Sequence, residues 1–170
     1  NSVDEVLFLG DLHHNHAVVR IEVMSFWQKA FRRLNEAMGV AEDSQNKSVF
    51  VLVGNHDMSN DSSVKATALD AYSDLVKVVS HPYSLYKDVL MVPYQHHTQD
   101  FLAACGEQPH KLLFCHQSFN GAQFDNGFYD PNGINPDALP AEQVISGHIH
   151  GPQEFGKVWY PGAPRWRTVS

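Results

Sequence analysis

Ser48-Val49-Phe50-Val51-Leu52-Val53-Gly54-Asn55-His56-Asp57 is the stretch on which the fold turns. Its apolar residues follow one another with no polar alternation, as in a strand buried on both faces of a parallel sheet. The chain then becomes polar at once, at Gly54. The same change recurs elsewhere. Residues 5–9 run apolar into Gly10-Asp11, Lys111–Cys115 ends at His116, and Gln143–Ser146 ends at Gly147-His148-Ile149-His150. Val89–Val92 before Pro93 and Lys157–Tyr160 before Pro161-Gly162 are further predicted strands. Between them lie helical patterns. From Val18 to Met38, Ile21, Met24, Trp27, Phe31 and Leu34 recur every three to four residues, and Gly39 is a helix stop. Residues 64–79 are predicted helical from Ala66, Leu69, Ala71, Leu75 and Val78, and Gln99–Cys105 forms a short helix ending at Gly106. Ala41–Lys47 is a polar loop. Asn120–Pro140, rich in Asn, Asp, Gly and Pro, is an ordered surface loop. Strands alternating with helices predict an α/β fold with a layered sheet, whose ligands bind at the carboxyl ends of strands.

The 170 residues predict a single domain over 1–170, with 43% hydrophobic and 18% charged residues. A formal charge of −7 argues against a basic patch that grips nucleic acid by itself. It leaves a phosphate substrate open, because carboxylates gathered at a metal site are neutralised by the bound cations. Eleven histidines point the same way, histidine being both a metal ligand and a general acid near neutral pH. Cys105 and Cys115 make no disulfide framework, and Cys115 reads as a buried thiol. No apolar run reaches membrane-span length, so an intracellular protein is expected, cytoplasmic or, in a eukaryote, nuclear. The start at Asn1 and the unpunctuated end at Ser170 lead us to expect further sequence on both sides.

Strand ends supply the candidate ligands Asp11, Asn55, His116, His148 and His150. Carboxylate, amide oxygen and imidazole together suit borderline divalent ions such as Mn, Fe, Zn or Ni. Two such ions, about 3.5–4 Å apart, would clamp a phosphate and activate a water.

These motifs resemble the calcineurin-like metallophosphoesterase superfamily, with its Gly-Asn-His-[Asp/Glu], isolated His and Gly-His-x-His signatures. The resemblance covers nearly the whole chain. It implies a layered β-sheet sandwich flanked by helices and two divalent metal ions, manganese foremost. It also implies that Asn55 binds metal, that His56 assists the leaving group, and that Asp57 orients the His56 imidazole. His116 and His148 would join Asn55 on one ion, and His150 would serve the other. Two registers compete for Gly10-Asp11-Leu12-His13-His14. It matches either the Asp-x-His of the family's first strand or the Gly-Asp-x-x-[Asp/His] of its second. Room for only one helix and one strand before Asn55 favours the second. Asp11 is then the bridging carboxylate, and the first strand is expected upstream of Asn1. In that register the chain is most similar to the catalytic domain of SbcD-type double-strand-break repair nucleases. His14 becomes a second active-site histidine, and the stretch from Gly147 to Pro164 resembles the end of that domain. The resemblance implies a DNA substrate, an SMC-like ATPase partner and hydrolysis of phosphodiester bonds. Trp27 and Phe31, at helical spacing, read as core, and the helix that carries them is a candidate homodimer surface. A small-molecule phosphodiesterase or phosphatase, and a non-catalytic scaffold with a degenerate metal site, are the alternatives.

Other residues carry weaker signals. His13 is a ligand in the first register and flanks the site in the second. His96-His97 reads as a solvated loop pair, and His81 and His110 as structural residues beside prolines. Phe119, Phe124, Phe128 and Tyr129 read as packing of the long loop, with base stacking the alternative. Arg165 and Arg167 are weak candidates for phosphate contact.

Overall fold

The computed structural model describes residues 3–15, 18–41, 47–59 and 66–164. It divides into two compact units, Asn1–Ser80 and His81–Ser170.

The first unit contains strand β1 (Val6–Phe8), helix α1 (Ile21–Ala37), strand β2 (Val49–Leu52) and strand β3 (Lys77–Val79). The strands form a parallel sheet in the order β1-β2-β3, with Phe8 opposite Val51 and Leu52 opposite Val79. Every residue of β2 is buried, which is why its sequence shows no alternation. Helix α1 lays Phe31, fully buried, against this sheet. The Phe31 ring meets Phe8 and Tyr72 edge-on and stacks with Trp27. Asn35 Nδ2 donates to the Leu75 carbonyl, a further tie from α1 to the sheet side. The helix stops where predicted. Gly39 takes φ +68°, and the Gly39 and Val40 amides donate back to Glu36 and Asn35.

Residues 64–79 were expected to be one helix, and the described part, from Ala66, is not. Ala68–Tyr72 forms a 3-10 turn, capped by Thr67 Oγ1 accepting from Leu69 N–H, and β3 follows. The β-branched Val78 and Val79 suit a strand, and pairing with β2 outweighs any local helical preference.

The second unit contains β4 (Tyr83–Tyr86), β5 (Val89–Val92), α2 (Thr98–Cys105), β6 (His110–Cys115), β7 (Ala141–Ser146), β8 (Gln153–Phe155) and β9 (Val158–Tyr160). Its sheet runs β4-β5-β6-β7-β9-β8. Strands β5, β6, β7 and β9 are parallel, and β4 and β8 are antiparallel edges. The sequence pattern does not register these two edges, because each is short and half in solvent. Phe101 and Cys105 of α2 are buried in the core that includes Val92, Leu113, Val144 and Tyr160. Burial pushes the Cys105 thiol up to about 12 and raises Cys115 further, in keeping with two inert thiols. The loop after β6 is ordered, with bridges Phe119 to Ile134 and Gln123 to Tyr129 and a 3-10 turn at Pro136–Ala138. Phe119 is core and Phe124 packs against it, whereas Phe128 and Tyr129 stand in solvent.

Two sheets with flanking helices make the mixed α/β architecture of the calcineurin-like phosphoesterase fold that the sequence predicts. No helix among the described residues is long and apolar enough to cross a membrane. Arg165, Arg167 and most of the Ala41–Lys47 loop lie outside the described residues. Phe31→Ala should cost about 3–5 kcal/mol, the range for deleting a fully buried aromatic ring. Urea unfolding of the variant checks this, and an unchanged midpoint would contradict the packing described.

Candidate functional site

In the first unit the polar residues gather beyond the carboxyl ends of β1 and β2, adjacent parallel strands. Their organiser is Asp57, whose carboxylate is buried. Asp57 Oδ2 accepts the amides of Asp11 at 2.8 Å and Gly54 at 3.0 Å, and Oδ1 accepts that of His13 at 3.1 Å. This holds the chain after β1 in a tight turn with Asp11 at φ +56°. The His56 amide donates to Asp11 Oδ1 at 2.9 Å, so the two strand ends are tied in both directions. Gly54 is required where it stands, because a Cβ there would collide with the Asp11 carboxylate and amide nitrogen. Asn55 opens the 3-10 turn Asn55–Asp57 that follows β2.

His56 Nδ1 donates to the His14 carbonyl at 2.7 Å, and the two imidazoles stack at 5.8 Å with an interplanar angle of 6°. The His14 carbonyl thus holds the His56 ring at Nδ1, a contact that the family signature, with its orienting role for Asp57, had not implied. Asp57 is taken up by backbone amides, and a carboxylate so engaged sets the loop rather than the imidazole. His13 is buried. Its Nε2 shares a 3.0 Å hydrogen bond with the Tyr72 hydroxyl, and its Nδ1 lies 3.4 Å from Asp57 Oδ1. Burial, and then the Asp57 charge, raises the pKa of Tyr72 above its ordinary value, so the phenol stays protonated. These contacts make His13 part of the support.

In the second unit His116 follows β6 directly and His148 lies just beyond β7, strands paired with Cys115 opposite Ser146. The Gly147 amide donates to the Cys115 carbonyl, and His148 takes φ +74°. The two imidazoles meet edge-on at 5.2 Å, with His116 buried. Tyr94, just after β5, stacks on His148 at 6.2 Å and meets His116 edge-on at 6.3 Å. Beneath them is a buried polar network. Ser146 Oγ donates to the Gln117 carbonyl and accepts the Gln117 amide, while the Tyr160 hydroxyl donates to the same carbonyl and accepts the Phe119 amide. Burial raises the pKa of Tyr160, which keeps that donor intact. Farther along, His150 Nδ1 lies 3.0 Å from Asp125 Oδ2.

Asp11 and His148 are the non-glycine residues with positive φ among those described. Such backbone costs roughly 1–3 kcal/mol per residue and is kept where surrounding contacts over-determine it, commonly at functional sites. Each unit also offers a donor set suited to divalent ions: carboxylate and amide in the first, a close pair of imidazoles in the second. Nothing about these residues conflicts with a metal.

Residues 1–152 match the family model for calcineurin-like phosphoesterases. The chain belongs to the calcineurin-like phosphoesterase family. It is also 30% identical over 180 aligned positions to a protein of Invertebrate iridescent virus 3 named as a phosphoesterase. That alignment covers 96% of this chain and 48% of the viral protein, so the chain spans about half the length of this relative. The family is one of metal-dependent phosphoester hydrolases, in agreement with the donor types found here.

Sequence reading missed Tyr72, Tyr94, Asp125 and Ser146, which carry no motif and act through tertiary contact, and it gave Tyr160 no role beyond the motif it opens. His96 and His97 are exposed, as expected, and His110 approaches the Cys105 carbonyl at 3.4 Å in a structural role. Asp57→Asn would set an amide NH2 against at least one of the backbone donors that Asp57 serves. We expect a loss of about 1–3 kcal/mol, the cost of an unsatisfied buried group. Urea denaturation tests it, and full retention of stability would remove Asp57 as the organiser.

Proposed function

We propose that this chain is the catalytic domain of a metal-dependent phosphodiesterase acting on DNA, a nuclease of the SbcD type. The observation that carries this reading is the stacked pair of His14 and His56, joined through the His14 carbonyl. A second histidine at that point of the Gly-Asp motif is the feature by which the sequence resembles those nucleases. The proposed metal ligands are Asp11, Asn55, His116, His148 and His150, and manganese is the first ion to test. Two bound ions supply positive charge to draw in the phosphodiester and to lower the pKa of a water.

The residues themselves have separable tasks. With Nδ1–H given to the His14 carbonyl, a charged His56 presents its second proton at Nε2, where it can pass to the departing oxygen. The parallel His14 ring restrains rotation of that imidazole about its side chain. Asp57 keeps Asp11 in its left-handed turn without taking part in the chemistry. The reading carries with it an SMC-like ATPase partner and a homodimer. On α1, Ile21 and Phe26 are apolar and exposed, while Phe31 is buried and Trp27 packs against the core.

The experiment is hydrolysis of bis-p-nitrophenyl phosphate and of linear DNA, with added manganese, by the wild type and by His56→Ala. Loss of a general acid should lower kcat by roughly 100-fold or more. Undiminished activity in His56→Ala sinks the catalytic assignment. Hydrolysis of small esters with DNA left intact would replace the nuclease reading by a small-molecule phosphodiesterase. With a formal charge of −7 the chain alone should bind DNA weakly, which a salt titration of binding reads directly.

A further inference from the structure

We propose that Asp125 is a positioning residue for His150, delivered by a loop whose ordering serves that contact. The proposal rests on the reading of His150 as a metal ligand given above. Asp125 Oδ2 lies 3.0 Å from His150 Nδ1, and both side chains are partly exposed, at 51% and 36%. As a stabilising ion pair such a contact is worth little, because solvent screens it. Its meaning lies in what holds each partner.

Asp125 sits in a tight turn. The Phe124 amide donates to the Phe128 carbonyl, and the Gly127 amide donates to the Phe124 carbonyl, both at 2.8 Å. Phe124 itself packs against the core of the second unit. One residue earlier, Gln123 and Gln153 exchange hydrogen bonds. The Gln123 amide donates to Gln153 Oε1, and Gln153 Nε2 donates to the Gln123 carbonyl, each at 2.8 Å. On the far side of the turn, Ser118 Oγ donates to Asp130 Oδ2 and the Asp130 amide donates to the Ala122 carbonyl. His150 is anchored in turn, its carbonyl accepting the Ala163 amide at 2.9 Å. Gln153 lies three residues after His150, so the same amide exchange ties both partners to one frame.

A loop fastened in this way holds the carboxylate in place without the entropy loss that a mobile surface side chain would suffer. A carboxylate only accepts, so the neutral form of the His150 ring has its proton on Nδ1 and Nε2 as its donor atom. That is the tautomer that takes a divalent ion, and a carboxylate behind the ring raises the basicity of the coordinating nitrogen. Sequence spacing could not show this, since Asp125 and His150 are joined only through the folded loop.

The test compares wild type, Asp125→Ala, Asp125→Asn and His150→Ala without reference to hydrolysis. Nitrogen-15 spectra of the metal-free protein at pH 8 report the His150 tautomer, and calorimetric titration with manganese reports the affinity of each ion. The wild type should show His150 protonated on Nδ1. Asp125→Ala should shift the ring toward Nε2–H and weaken one ion by about 10–100-fold, the usual effect of removing a ligand's carboxylate partner. Asp125→Asn, whose Oδ1 can still accept, should keep the tautomer and lose part of the affinity. An equal urea midpoint in Asp125→Ala shows that the loop survives, so that the change is one of positioning. If His150→Ala weakens an ion while Asp125→Ala changes neither tautomer nor affinity, the proposal is overturned and the ligand reading stands. If His150→Ala leaves both ions unchanged, the ligand reading itself fails and takes the proposal with it.

Discussion

The Asp57 carboxylate, buried beneath the turn after β1, is the constraint from which the first unit is built. A parallel strand ends with backbone amides that the next turn must satisfy inside the protein, where an unpaired donor is costly. Asp57 satisfies the amides of Asp11, His13 and Gly54 together. Doing so binds the ends of β1 and β2 to one group and bends Asp11 into a conformation it would not adopt alone. The close approach then leaves no room for a side chain at Gly54. Helix α1 and the aromatic cluster around Phe31 stabilise this sheet from the side, so stability and the placement of Asp11 and His56 depend on the same few residues.

The second unit meets the same requirement with hydroxyls. Ser146 and Tyr160 serve the Gln117 carbonyl, and they accept the amides of Gln117 and Phe119 in return. No charge is buried in that network, and each hydroxyl donates and accepts through a single oxygen. The result is a rigid platform under His116 and His148. Tyr94 closes its edge by stacking on His148. Side chains held by packing and by buried hydrogen bonds need no reorganisation when a charged ligand arrives, which is the structural condition for electrostatic catalysis.

The long segment after β6 is the ordered surface loop that its turn-forming composition predicts. Its Asn, Asp, Gly and Pro residues fit a solvated loop. Asp130, Gln123 and Phe124 tie it to Ser118 just past β6, to the start of β8 and to the core. Asn126, Asp130 and Asn135 accept the amides of Phe128, Asn132 and Asp137, so these side chains satisfy their own turns locally.

Much was legible in the sequence. The unbroken apolar runs at β2, β5 and β6 and the spacing of α1 reflect sheet burial, complete only in β2, and a helix face, both local in sequence. The histidines and carboxylates stood out because they follow those runs directly. Tertiary structure decided the rest. Lys77–Val79 became a strand because β2 offered it a partner, and β4 and β8 exist as edges that only a neighbouring strand can define. Asp57, adjacent to His56 in the Gly-Asn-His-Asp motif, turned out to serve Asp11, and His14 took over the imidazole. The residue types that could do the chemistry were thus set by sequence. Which carboxylate or carbonyl faced which imidazole depended on chain segments tens of residues apart, and no local spacing encodes that.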